Sequence, residues 1–150
     1  MLYKELMDQR SNSGECPFCA ATDRMLKETP LGYLTYALAP YHKHHLLIVP
    51  KRHVESLHDI TRNEMNDIWD LEHFGIGMLQ ALGYDSVTAL VREGEKTGRS
   101  IKHVHFHVIP DVRIGDLDHK GGERRILGQE EIEESFVELK KAAKEHEERL

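Results

Sequence analysis

Residues 103–109 read H-V-H-F-H-V-I, and no other stretch restricts the fold so tightly. Side chains on a β-strand alternate between faces with a period of two. An extended backbone here puts His103, His105 and His107 on one face and Val104, Phe106 and Val108 on the other. The apolar set alone predicts a half-buried strand over 101–109, ended by Pro110. Three histidines in strict alternation are hard to obtain by chance, so their face is expected to carry chemistry.

Three uses of that face stand open. It is a polar strand surface, or a metal site, or a divided site. Two histidines at i and i+2 can share one ion with a third ligand elsewhere. Yet His103 and His107 lie four strand steps of ~3.3 Å apart, roughly 13 Å between backbones, which is too far for one ion to use all three. The divided site uses every position: one end histidine binds metal, the middle one attacks, and the other end one supports the transferred group. Neutral imidazole is a competent nucleophile near neutral pH because its pKa lies near ~6.5. Phosphorus suits it as an electrophile, since a phosphohistidine hydrolyses readily. The preceding polar loop, 93–99, supports this use. Gly94 and Gly98 let backbone N–H groups approach a phosphate, Ser100 offers a hydroxyl, and Arg92, Lys96, Arg99 and Lys102 add positive charge.

The chain has 150 residues, enough for one domain with one core. Its net charge of −6 argues against non-specific nucleic-acid binding, which needs lysine and arginine to displace counterions. No apolar run approaches the ~18–20 residues of a spanning helix, and the charged N-terminal segment is not a signal peptide. A cytoplasmic location without membrane association is expected. The only two cysteines, Cys16 and Cys19, form C-P-F-C. In a reducing compartment that spacing favours a metal site over a redox pair or two bare thiols. Two thiolates need two further ligands, and His42, His44, His45, His53 and one end of the histidine strand are candidates. His58, His73, His119 and His146 have no partner by spacing and are expected at the surface.

Elsewhere the pattern predicts a short helix over 1–10 and strands over 24–29, 32–38, 45–49 and 86–92. A helix over 61–82 is capped by Asp59 or Thr61 and closed by Gly83, with Gly75 and Gly77 marking close packing or weakness inside it. Residues 111–128 read as loop. A C-terminal helix over 130–150 carries Ile132, Phe136, Leu139 and Ala143 in one stripe. The class is α+β.

Together these residues resemble the histidine triad family. H-V-H-F-H-V-I matches its H-φ-H-φ-H-φ-φ motif, with φ apolar. H-H-L-L-I-V-P-K-R-H (44–53) resembles its second landmark, and C-P-F-C is similar to the cysteine pair of zinc-carrying bacterial members. The resemblance covers residues 16–110. It implies a single domain over 1–150 with a helical extension over 130–150, built on an antiparallel sheet of about five strands with a long packing helix. It implies a hydrolase that forms a phosphohistidine intermediate on His105 and releases a nucleoside monophosphate from a nucleoside phosphoramidate or related conjugate. His107, His45 and Ser100 would complete the catalytic set, and Gly98, Arg99, Ser100 and His107 would bind substrate. Cys16, Cys19, His53 and His103 would hold a structural zinc, with no catalytic metal or organic cofactor. A small nucleotide as partner and a homodimer are implied as well. Histidine rather than glutamine at 107 points away from the transferase branches.

Three positions depart from the family pattern. His44 replaces a glycine, Arg99 replaces a glutamine, and Ala37 stands where a ribose-binding aspartate is common. A-L-A-P-Y (37–41) looks more like diadenosine polyphosphate phosphorylases and galactose-1-phosphate uridylyltransferases. Diadenosine polyphosphate cleavage, an open-zinc hydrolase and a non-catalytic nucleotide-binding module are the alternatives.

Overall fold

The computed structural model describes residues 5, 16–19, 24–37, 40–99, 101–113 and 127–149. The chain comprises two compact units, Met1–Ile114 and Gly115–Leu150. The first holds a five-stranded sheet of β1 (Lys27–Glu28), β2 (Gly32–Tyr36), β3 (Leu46–Pro50), β4 (Val87–Val91) and β5 (Phe106–Pro110). The spatial order is β1-β2-β3-β5-β4, with every neighbouring pair antiparallel. Helix α1 (Arg62–Ala81) intervenes between β3 and β4. This is the α+β architecture expected, five strands included.

Each face of the sheet has its own apolar cluster because the strands alternate two apolar sets. Leu34, Leu46, Ile48, Phe106 and Val108 face α1, which contributes Ile68, Leu71 and Leu79. Tyr33, Leu47 and Val49 pack on the opposite face with Phe18, from the turn between the cysteines. Helix α1 begins with a reciprocal cap: the Thr61 hydroxyl accepts from Glu64 N–H, and the Glu64 carboxylate accepts from Thr61 N–H. It ends in a Schellman turn, with Tyr84 N–H donating to the Leu79 carbonyl and Gly83 N–H to that of Gln80. Gly83 adopts φ +102°, which only glycine tolerates cheaply. Gly75 is a true packing glycine. A Cβ there would stand 3.3 Å from Leu46 Cδ1 and 3.5 Å from Leu34 Cδ1, whereas at Gly77 it would meet nothing within 4 Å.

Arg52 joins β3 to the start of α1. Its guanidinium donates to both oxygens of the buried Glu64 (2.8 and 3.2 Å) and to the Asp59 carbonyl (2.8 Å). The chain leaving β3 is thereby held where its carbonyls and His53 can serve the site.

One expected strand is shorter than its pattern. Residues 101–105 lie outside the ladder, and β5 starts at Phe106. The ladder ends where Phe106 pairs with Ile48 on one side and with Val91, the last residue of β4, on the other, and Val49 and Pro50 of β3 continue in register with β2 alone. Val104 N–H donates instead to the Val54 carbonyl at 2.8 Å. The expected strand over 24–29 likewise contracts to Lys27–Glu28. The expected helix over 1–10 lies outside the described residues apart from Glu5, as do residues 114–126 of the expected loop.

In the second unit, α2 (Gln129–Arg149) matches the expected C-terminal helix. Its Ile132, Phe136, Val137 and Leu139 are exposed. No helix among the described residues is long and apolar enough to cross a membrane.

Candidate active site and metal centre

The sheet face opposite α1 carries the histidines. Leu90, His107 and Leu47 lie side by side across β4, β5 and β3. His103, His105 and His107 are all buried, as is His45. The alternation of faces thus persists through 103–105 outside the ladder, with Val104 in the cluster against α1 and His103 and His105 against Phe18. The rings of His105 and His107 are 4.9 Å apart between centroids, and Phe18 packs 4.9 Å from His105 and 5.8 Å from His103.

Main-chain groups dictate where each imidazole carries its proton, since a carbonyl only accepts and an N–H only donates. His105 Nδ1–H donates to the His103 carbonyl at 2.7 Å, so His105 Nε2 bears a free lone pair. Tyr41 N–H donates to His45 Nδ1 at 3.2 Å, so the His45 proton sits on Nε2. That proton is donated to His107 Nδ1 at 2.9 Å, which leaves His107 with its proton on Nε2. The result is a nucleophilic lone pair on the middle histidine beside a donor N–H on the third, with His45 fixing the donor.

The rings are neutral at physiological pH. Burial first, then the charges of Arg92, His105 and His42, hold His45 down at about 4. Burial, then His105, His45 and Arg92, hold His107 at about 3. Burial also lowers His103 and His105.

At the other end of the row, Cys16, Cys19, His53 and His103 converge, with one ligand atom from each lying within 4.8 Å of the others. His103 Nδ1 is 3.3 Å from Cys16 Sγ and 3.6 Å from Cys19 Sγ, and His53 Nδ1 is 3.3 Å from Cys19 Sγ. A tetrahedral ion with Zn–S of about 2.3 Å and Zn–N of about 2.05 Å requires S···N near ~3.6 Å, so the donor set fits a metal ion of that size. The outer hydrogen bonds agree. His103 Nε2–H donates to the Pro50 carbonyl at 2.8 Å, which aims the Nδ1 lone pair at the sulfurs. His53 Nε2 lies 3.6 Å from Glu55 Oε1. Burial and the neighbouring Cys16 push the Cys19 thiol up to about 11, a cost that a bound cation would reverse.

The other sequence candidates divide. His42 and His44, considered as ligands, engage Tyr84 instead: His44 Nδ1 lies 2.7 Å from its hydroxyl, and His42 packs edge-on against its ring. Gly98 adopts the left-handed conformation (φ +85°), as a tight loop requires. The Arg99 guanidinium donates to the Glu55 carbonyl and so ties the loop to the segment beside His53. Ser100 lies outside the described residues. Ala37 N–H donates to the His45 carbonyl, and its methyl group brings no polar function to this position. His58 and His73 are exposed, as expected, while His119 and the His146 side chain lie outside the described residues. Sequence reasoning missed the Tyr41 N–H and Pro50 carbonyl, since main-chain groups have no residue signature. It also missed Phe18 against the triad, although C-P-F-C places an aromatic between the two ligands.

An antiparallel sheet with a row of tautomer-fixed histidines on one face and a packing helix on the other defines a protein of the histidine triad class. The comparisons agree. The HIT domain model matches residues 20–114. A bis(5′-adenosyl)-triphosphatase of Dictyostelium discoideum is 25% identical over 130 residues, covering 86% of this chain and 87% of that protein. An adenosine 5′-monophosphoramidase of Saccharomyces cerevisiae is 32% identical over 120 residues, covering 80% and 70%. Among solved structures, a histidine triad nucleotide-binding protein from Candida albicans has a TM-score of 0.72 at 22% identity, over 87% of this chain and 99% of that one. This chain belongs to the HIT family.

Proposed function

We propose that this protein is a nucleotide hydrolase that works through a covalent phosphohistidine on His105. The observation that carries the reading is the His105 Nδ1–H bond to the His103 carbonyl, which frees Nε2 as the nucleophile. His105 Nε2 attacks the α-phosphorus of a nucleotide conjugate, and the bond to the leaving group breaks. His107 Nε2–H, held by His45, donates to the departing or phosphoryl oxygen or nitrogen. Water then cleaves the P–N bond to His105 and releases a nucleoside monophosphate. Both an amine and a phosphate fall within the possible leaving groups, in keeping with the names of the two relatives. Ser100 and the 98–100 backbone are further phosphate contacts in this scheme.

The metal is a structural zinc. Cys16, Cys19, His53 and His103 supply four donors, which closes a tetrahedral shell. Its part is to hold the two ends of the site together, and His103 with them. The 1–150 chain acts as a cytoplasmic homodimer in this reading. β4 is an edge strand, and α1 exposes Met65 and Trp69 (42% and 63%).

The test is a rapid-quench incubation with adenosine 5′-phosphoramidate and with diadenosine triphosphate, followed by intact mass spectrometry. AMP release and a transient nucleotidyl adduct are expected, both absent from His105→Asn. A protein that turns over neither substrate and forms no adduct is not this hydrolase.

A further inference from the structure

The histidine cluster has no charge of its own near neutral pH, yet a cation stands beside it that the scheme above does not use. Arg92 follows directly on Val91, the last residue of β4, which pairs with Phe106, the neighbour of His105, and strand alternation assigns it to the face of Leu90, the partner of His107. Arg92 is half-buried. Its charge reaches all three site histidines, and on His45 it is the largest influence after burial.

The neighbouring carboxylates are engaged elsewhere. Glu93 accepts from Ser56 Oγ and Leu57 N–H, both at 2.8 Å. Glu95 is paired with Lys102 at 3.0 Å. Among the described residues, none accepts a hydrogen bond from the Arg92 guanidinium or forms an ion pair with it. Arg99, the second arginine of this segment, is directed to the Glu55 carbonyl. A half-buried guanidinium with no counter-ion among the described residues, beside neutral imidazoles, is a fork suited to a phosphate.

We propose that Arg92 is a leaving-group contact that binds a phosphate beyond the α-phosphate and makes nucleoside polyphosphate conjugates the preferred substrates over phosphoramidates. This rests on the hydrolase reading. An anhydride leaving group carries negative charge that grows as its bond to the α-phosphorus breaks, and Arg92 stabilises that charge. An amine leaving group offers the guanidinium nothing to bind.

The experiment compares kcat/KM for diadenosine triphosphate and adenosine 5′-phosphoramidate in the parent protein, Arg92→Gln and Arg92→Lys. Removing a charge-assisted hydrogen bond predicts a loss of roughly 10- to 100-fold on the triphosphate. The loss on the phosphoramidate should be several times smaller, and Arg92→Lys should recover much of the triphosphate activity. Equal losses on both substrates, or none on either, would overturn the proposal. Calorimetric titration of tripolyphosphate and AMP into His105→Asn, with and without Arg92→Gln, decides the same point without turnover. Tripolyphosphate should bind about tenfold or more weakly in the double variant, with AMP much less affected. Tripolyphosphate binding that is absent from His105→Asn, or unchanged by Arg92→Gln, refutes the role of Arg92. An absence of turnover on both substrates with that titration pattern intact refutes the hydrolase reading instead.

Discussion

Acidification should destabilise this fold through His45 and His107 from about pH 6.5 downward, starting above the range in which ordinary carboxylates titrate. Both rings are buried, and their pKa values of about 4 and about 3 lie below the usual 6.5. The groups acting on His107 are His105, His45 and Arg92, and those acting on His45 are Arg92, His105 and His42, so no carboxylate among the described residues offsets the shift. The unfolded chain therefore binds more protons than the folded one between about pH 6.5 and pH 4, and stability falls as pH falls through that window. Above the unfolded value near ~6.5 the contribution is fully present. Each group gives a limiting slope of about 1.4 kcal/mol per pH unit, so between pH 7.5 and pH 5 each removes about 2 kcal/mol, roughly 4 kcal/mol for the pair. That is a large part of a typical domain's stability. Urea denaturation at several pH values measures it, read as the slope of unfolding free energy against pH. His107→Asn removes one titrating ring, and its slope should be shallower by about 1.4 kcal/mol per unit, whatever its absolute stability. If His107→Asn and the parent run parallel from pH 7.5 to pH 5, the buried-neutral assignment is wrong.

Other consequences test the core, the metal centre and the assembly. The protein should carry one zinc per chain by elemental analysis, lost in Cys19→Ser; with free zinc 1,000-fold above its dissociation constant, removing it should cost about 4 kcal/mol in thermal or denaturant unfolding. Gly75→Val should destabilise by about 1–3 kcal/mol, because its Cβ alone already crowds Leu46; an unchanged denaturation midpoint would mean that α1 does not sit so close to β3. Thr61→Ala breaks the reciprocal cap of α1 and should cost about 1 kcal/mol, measured the same way. Trp69→Glu should shift the molecular mass in analytical ultracentrifugation from dimer to monomer, and a dimer of undiminished affinity would assign the contact to another surface.

Much of this site was legible because its chemistry lies in side chains at short, regular spacing. The period of two in 103–109 put the three histidines on one face, and that held even where the ladder did not reach. C-P-F-C announced a metal site, but spacing alone left five histidines or more competing to complete it. Folding chose His53 and His103 because β3 and β5 are neighbours in the sheet, with the cysteine turn packed over them. It sent His44 to Tyr84, a residue 40 positions away. Periodicity likewise announced α1, with Asp59 or Thr61 to cap it, and folding chose Thr61. Where the ladder of β5 ends was not legible, since that depends on how far β3 and β4 extend beside it.

The sequence by itself determined which residues could do chemistry here, because residue type and strand period are local properties. The tertiary structure decided what state those residues are in. The tautomers of His105, His103 and His45 depend on one main-chain group each, namely the His103 carbonyl, the Pro50 carbonyl and the Tyr41 N–H, that of His107 follows from His45, and burial keeps the rings neutral. Those partners are brought together only when β3 and β5 pair, so no reading of the chain in one dimension contains them.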